Sequence, residues 1–360
     1  MKVAYLSFGS PVMAIGYVRK MVRQMTVWRE LGAEAEFIAL ACAKGTLKDV
    51  PVREVPSLIA PPQGRSWWAH LLYYSLRSLS ARALRQTLRE SEPDLVYLRQ
   101  SLWWPGMLWA LQDFPFVVEM NSNDVEEARH RGGLRSSLHL LTREWLLRGA
   151  RGLVRVTDEI GEVLPAEIPS ITITNGAHID PLAFRPPPNN PRPRLIFAGS
   201  PNQPWHGLEK VRRLATLLPE AEFHVYGEPC PGPANIINHG FVPHQQLAEA
   251  YAGADAGIGS LALELNGMRQ ACPLKVREYL AHGLPVMASY EDPDLSGASY
   301  YLDLQLESVS SDALAERARA FLASWNGRPL PGEDVRRRVD DRAKESARLD
   351  FFAQVAGSRS

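Results

Sequence analysis

The sequence predicts an α/β protein of two doubly wound parallel-sheet domains, and three observations carry that prediction. Short apolar runs of strand type alternate with amphipathic helical stretches along the whole 360-residue chain. The alternation is interrupted by the densest proline stretch, PLAFRPPPNNPRPR at 181–194, and then restarts. A content of 45% hydrophobic and 22% charged residues suffices for two separate cores.

The first domain, 1–180, opens with an alternating strand at 2–7. Gly9, Pro11 and Gly16 then make a turn before an amphipathic helix that runs to about Leu31. Strand, glycine-containing turn and helix is how a Rossmann-like domain begins. Gly9 and Gly16 do not have the dinucleotide spacing, which argues against NAD. Further strands are expected at 36–41, 94–98, 116–119, 152–156 and 171–174. The proline stretch 181–194 reads as a semi-rigid linker. The second domain, 195–332, restarts with a strand at 195–198, a turn at 199–207, a helix to about 218 and a strand at 222–226. Strands at 236–239 and 256–260 follow, with a helix at 243–252 between them. Beyond a helix at 309–325, the tail 333–360 is expected to form one more helix, from 334 to about 356. The second sheet does not need it, so it could return to the first domain.

Composition excludes several classes. Lys plus Arg and Asp plus Glu are 40 each, so the overall charge predicts no nucleic-acid partner. Three scattered cysteines exclude a disulfide framework or zinc knuckle and fit a reducing compartment. The N-terminus is not of signal-peptide type, and no apolar run approaches the roughly 18 residues of a membrane span. A cytoplasmic protein is expected, soluble or held on the inner face of the membrane.

One stretch suggests that second location. Residues 67–89 place Trp68, Leu71, Leu72, Leu76, Leu79 and Ala83 on one helical face, with four arginines and no acid. A peripheral membrane contact through 65–89 fits this pattern, and so does a core-facing helix with a solvated arginine side. Residues 129–155 are also arginine-rich.

The segment CPLKVREYLAHGLPVMAS, 272–289, carries the chemistry. Pro273 suits a helix start, His282 and Gly283 its end, and 284–289 is a buried strand. Free N–H groups at Leu274 and Lys275, the helix dipole and the Lys275 ammonium would together suit a diphosphate. Glu278, one turn further in, could accept from sugar hydroxyls. The bland alternative is a surface Lys–Glu pair. In the first domain Arg99, Gln100, Glu119 and Asn121 lie at strand C-termini, where a doubly wound sheet binds ligands. For Arg99 and Glu119, ligand binding and loop capping are equally open. Asn123 and Asp124 read as helix caps.

Five motifs in order then resemble the retaining GT-B glycosyltransferases of family 4 (GT4). They are ITNGAHIDPLAFRP (173–186), IFAGSPNQPWHGLEKV (196–211), FHVYGE (223–228), INHGFVPHQQLAEAYAGADAGIGSL (237–261) and the 272–289 segment. The resemblance implies two Rossmann-like domains facing a central cleft. The first would bind a saccharide or lipid-linked acceptor and the second a nucleotide-diphosphate sugar with a UDP or GDP base. It assigns the ribose to Glu278, the diphosphate to Gly199 and its turn with Lys275, and the base to the backbone at Phe241 and Val242. Leu274 and Gly227 belong to the same donor pocket. Ser200 stands where the family often has arginine, and His206 where it has lysine, with Lys210 one turn later. Gln270 replaces the first glutamate of the family's pair, and Glu264 or Asn266 could take over its sugar contacts. Lys275, with His206 or Lys210, would supply the positive charge for leaving-group departure. Asn175 and His178 join Arg99, Glu119 and Asn121 as acceptor-cleft candidates. No metal or other cofactor is implied, and no ligand cluster is legible. The resemblance further implies retention of anomeric configuration and a place in cell-envelope polysaccharide or glycoconjugate synthesis. Two other readings stand beside it: a sugar-nucleotide epimerase of the same architecture, and a catalytically degenerate subunit that binds a nucleotide or partner.

Overall fold

A computed structural model describes residues 1–8, 16–41, 50–56, 72, 75–180, 184, 188 and 190–357. The chain divides into two compact units, Met1–Ile173 with Arg342–Ser360, and Thr174–Asp341.

Unit 1 holds a seven-stranded parallel sheet of β1 (Lys2–Ser7), β2 (Glu34–Ala41), β3 (Val52–Pro56), β4 (Leu95–Arg99), β5 (Phe116–Met120), β6 (Gly152–Arg155) and β7 (Ser170–Thr172). Their order is β3-β2-β1-β4-β5-β6-β7. The order reverses between β1 and β4, which is where such a sheet opens a crevice at its strand ends. Parallel strands covered on both faces need continuous apolar runs, and β5 is buried at every position. Its core stacks Tyr5 on Trp28 at 5.7 Å, with Tyr97 edge-on to both. The C-terminal helix Asp341–Gly357 completes this core from the far end of the chain, with Phe352 lying 4.9 Å from Tyr97.

Unit 2 holds a six-stranded parallel sheet of β8 (Arg194–Gly199), β9 (Glu222–Gly227), β10 (Ile236–Gly240), β11 (Ala256–Ile258), β12 (Val286–Ala288) and β13 (Tyr301–Asp303). The order is β10-β9-β8-β11-β12-β13, and its core gathers Leu195, Phe197, Phe223, Met287 and Leu314. The two doubly wound α/β sheets expected from the sequence are both present.

Three elements differ from expectation. Strands β3 and β13 are additional, and both sit at sheet edges, where few buried positions write an apolar pattern into the sequence. The tail forms two helices, Gly332–Val339 and Asp341–Gly357, instead of one. The break falls at Asp340, with ψ of 132°, because the backbone there pairs sideways. Ala177 N–H donates to the Val339 carbonyl at 2.9 Å, and Asp341 N–H donates to the Ala177 carbonyl at 3.0 Å.

Several expectations fall outside the described residues: the Gly9 turn, positions 65–71, 73 and 74 of the basic segment, and positions 181–183, 185–187 and 189 of the proline stretch. The later part of 65–89 belongs to the helix Ala81–Ser91, which buries Leu84 and Leu88 in unit 1. Its Arg85 and Arg89 pair with Asp113 at 2.8 and 2.7 Å. Among the described residues, no helix is long and apolar enough to cross a membrane.

Candidate functional site

The candidate site in unit 2 grows from the ends of β8 and β9. Gly199 and Gly227 are partners in this pairing. Gly227 has φ of +101°, and a Cβ there would stand 1.8 Å from the Gly199 carbonyl oxygen. Only glycine fits, so the two strand ends close against each other. The chain then turns through a short helix, Pro204–His206, and enters the helix Leu208–Leu217. The His206 ring folds back over the turn: a Cβ on Gly199 would meet His206 Nδ1 at 2.8 Å, and the imidazole stands edge-on to Phe197 at 5.8 Å.

The helix Leu274–Ala281 approaches the same turn. Pro273 is its N-cap, and its own hydrogen bonds begin at the Val276 N–H, beyond Leu274 and Lys275. Tyr279 ties it to the sheet by accepting from Ala198 N–H at 2.9 Å and donating to the Ile258 carbonyl at 3.3 Å. On the opposite side Arg277, 1% exposed, grips Asp292 with two bonds of 2.7 and 2.9 Å and Asp294 with one of 2.7 Å. It also donates to the Asn175 carbonyl at 2.7 Å, while Asn175 Nδ2 donates to the Cys272 carbonyl at 2.7 Å. Burial works to lower the Arg277 pKa, but Asp292 and Asp294 outweigh it and hold the guanidinium charged. The helix start is therefore fixed from two directions.

This anchoring aims Lys275 at the Gly199 turn. The residue is half-buried, yet its Nζ is sealed from solvent with no hydrogen-bond acceptor among the described residues, and it lies 4.2 Å from the centre of the Phe197 ring. Burial lowers its pKa to about 7. His206 is lowered further, to about 2, first by burial and then by the Lys275 charge. It is a neutral neighbour at working pH, not a second cation. Lys210 is engaged elsewhere, pairing with Glu264 at 2.5 Å and Glu307 at 2.7 Å. Among the described residues Lys275 is thus the cation at this turn, and a cation with no anion beside it is poised to receive one.

Glu278 lies one turn further along the helix. Its Oε2 accepts from the Tyr251 hydroxyl at 3.2 Å, and its Oε1 is 3.8 Å from His244. Phe241, 71% exposed, and half-buried Val242 lead into the helix that carries both. Ser200 is exposed, Leu274 half-buried, and Asn266 is buried with its Nδ2 on Met268 Sδ at 3.8 Å. Gln270 pairs through its backbone with Glu291. Gly199 thus stands against Gly227 and His206, and Lys275 joins them through the Phe197 ring. Phe197 was missed from sequence because an aromatic in a buried strand reads as core. Arg277 was missed because it sits among charged neighbours on a helix; its signal is the acidic turn Asp292-Pro293-Asp294.

The remaining candidates lie in different surroundings. In unit 1 Glu119 is 1% exposed, bound by Lys20 at 2.9 Å, Asn121 at 3.1 Å and Arg348 at 3.4 Å. Burial would raise its pKa, but Lys20, Arg348 and Asn121 win and hold the carboxyl well below the usual range. Asn121 also accepts from Lys20 at 2.9 Å, and the Arg99 guanidinium lies over Tyr17 at 5.3 Å. Asn123 is a cap, accepting from Glu126 N–H at 3.1 Å. In unit 2 Asn175 is part of the Arg277 anchor, and His178 is exposed. The Ala177–Asp340 pairing brings His178, Asp340 and Asp341 together, with ligand atoms within 4.8 Å of one another. Among the described residues this is the one group whose geometry could hold a metal ion, and the sequence spacing gave no sign of it.

No protein-family model matches the chain, and no curated protein matches it significantly. Its fold, however, is shared along its length with solved sugar transferases. It superposes on a sucrose-phosphate synthase from Thermosynechococcus elongatus with a TM-score of 0.69 at 13% identity, covering 99% of this chain and 100% of that one. For the lipopolysaccharide outer core galactosyltransferase WaaB the TM-score is 0.62 at 14% identity, covering 98% and 100%. For the pneumococcal O-GlcNAc transferase GtfA, solved with UDP and GlcNAc, it is 0.63 at 11% identity, covering 99% of each. These likenesses give the chain the two-domain α/β fold of the GT-B glycosyltransferases.

Proposed function

We propose that this chain is a retaining glycosyltransferase of the GT4 type, moving a sugar from a nucleotide-diphosphate sugar to a saccharide or lipid-linked acceptor in glycoconjugate synthesis. The donor would bind unit 2. One observation carries the reading: Lys275 Nζ is sealed against Phe197 without an acceptor, beside a glycine turn and at a helix start. A diphosphate is the ligand whose charge and shape answer that arrangement.

Cleavage of the anomeric C–O bond to a diphosphate puts negative charge on the departing oxygens. A pre-positioned cation in a sealed site stabilises that charge more than water does. Lys275 fills this role; burial lowers its pKa to about 7, and a diphosphate beside it would draw it back up. Glu278, steadied by Tyr251, would take the ribose hydroxyls. Gly199, Ser200, Gly227 and Leu274 would surround the phosphates, and Phe241 and Val242 the base. Asn266 or Gln270 would meet the sugar. Arg99, Asn121 and His178 remain the acceptor-side proposals. For Glu119 and Asn175 the support favours a positioning role, since their polar atoms are engaged by Lys20 and Arg348 and by Cys272 and Arg277.

The test is release of nucleoside diphosphate from UDP- and GDP-sugars in the presence of saccharide acceptors, with the product anomer read by NMR. Transfer with retained configuration supports the proposal. Binding of nucleotide without transfer across donors and acceptors, or an inverted product, contradicts it.

A further inference from the structure

The helix Gly133–Gly149 in unit 1 is folded inside out. Its inner side carries Ser136, His139, Thr142 and Arg143, all buried, with Leu146 and Leu147. Its outer side carries Leu134, Leu141 and Trp145, which are 42%, 72% and 52% exposed, with half-buried Leu138 between them. The spacing 134, 138, 141, 145 is one continuous helical stripe. A surface helix normally turns such a stripe inward.

The inversion is held by charge. Arg143 makes two bonds to Asp124, at 2.8 and 3.1 Å, and a third to the Val163 carbonyl at 2.9 Å. His139 reaches the same Asp124 carboxylate at 2.7 Å. This network fixes the polar side inward, so the leucines and Trp145 cannot rotate out of water without breaking it. Trp145 is backed by Trp103, edge-on at 4.8 Å, which gives the exposed indole a firm seat. An apolar stripe kept outward by a buried ion pair is built to meet something outside the chain.

The surrounding charge identifies what it meets. Residues 129–151 contain six arginines and one glutamate. Arg129 and Arg131 pair with Glu126 and Glu127, Arg143 is spent on Asp124, and Arg148 pairs with Glu144 and Glu167. Arg135 and Arg151 are exposed with no ion pair among the described residues. A leucine and tryptophan stripe flanked by arginines is the composition that lies in the boundary of an anionic bilayer.

We propose that the outer face of Gly133–Gly149 docks this protein on an anionic lipid surface. Leu134, Leu141 and Trp145 enter the headgroup boundary, and Arg135 and Arg151 meet the acidic headgroups. The inference goes beyond the donor-site reading and stands without it.

The test is co-sedimentation of the full chain with vesicles of phosphatidylglycerol and phosphatidylcholine in equal parts, and with phosphatidylcholine alone. Binding is expected to the anionic vesicles, weakening as salt is raised. Leu141→Asp with Trp145→Asp should lower it by roughly tenfold or more; Leu141→Asp alone, at a position 72% exposed, should leave the thermal unfolding midpoint unchanged, whereas the double variant also loses the Trp103 contact. Should that double variant unfold, Leu141→Asp alone carries the same expectation. Arg135→Glu with Arg151→Glu should weaken binding to the anionic vesicles only. Vesicle binding that is absent in the wild type, or equal in wild type and variant, overturns the proposal. So does a dimer in sedimentation that Leu141→Asp dissociates without any vesicle binding, which would assign the face to a second copy.

Discussion

Lys275 Nζ stands 4.2 Å from the centre of the Phe197 ring, with no hydrogen-bond acceptor among the described residues. Among the described residues, the ring's electron-rich face is what compensates the charge. Arg277, two residues on along the same helix, is by contrast saturated by two aspartates. The helix thus carries one cation that is satisfied and one that waits.

The waiting cation makes stability depend on pH. Burial holds the Lys275 pKa at about 7 in the folded chain, against an ordinary 10.5. Between those values the unfolded chain binds a proton that the folded chain does not, so stability rises with pH, by at most about 1.4 kcal/mol per unit. Below about 7 both states are protonated, and the contribution is flat. Lys275→Met should abolish the rise and stabilise the protein at pH 6. Urea unfolding at pH 6, 8 and 10 checks both signs.

A diphosphate beside Nζ should draw the pKa back up. At pH 8 binding should then take up a fraction of a proton, visible as a buffer-dependent heat in titration calorimetry. Lys275→Met should take up none at this position and bind roughly 10- to 100-fold more weakly, as expected for the 1.5–3 kcal/mol of a hydrogen bond to a charged group.

Removing the satisfied cation should be costly. Arg277→Met leaves Asp292, 1% exposed, without its partner. The loss expected for a broken buried pair is about 3–5 kcal/mol. Adding Asp292→Asn should recover part of it, and a double-mutant cycle by urea unfolding measures how much.

Gly227→Ala tests the closure of β8 on β9. The new methyl would stand 1.8 Å from the Gly199 carbonyl oxygen at φ of +101°. The strand ends must part, at a cost of about 2 kcal/mol or more. Denaturant unfolding gives the cost, and nucleotide binding should fall with it.

Much of this was legible in the sequence. Buried parallel strands such as β1 and β5 write continuous apolar runs, and Pro273, His282 and Gly283 bound the site helix where expected. What escaped was set by tertiary pairing. Edge strands β3 and β13 have too few buried positions to leave a pattern, and Asp340 breaks a helical stretch only because Ala177 lies beside it. Burial and then the Lys275 charge lower the His206 pKa to about 2, which opposes the positive charge expected of it. The sequence marks 129–155 only as arginine-rich; that leucines of Gly133–Gly149 face outward depends on the tertiary Arg143–Asp124 pair.

The most direct measurement is thermal unfolding of the wild type and of Glu278→Ala with UDP, GDP, ADP and TDP. A nucleotide at about 100 times its dissociation constant adds roughly 2.7 kcal/mol of stability. One nucleotide class should raise the wild-type midpoint by several degrees and leave Glu278→Ala unmoved. If no nucleotide shifts the wild type, or if both proteins shift equally, the donor site does not lie on the helix Leu274–Ala281.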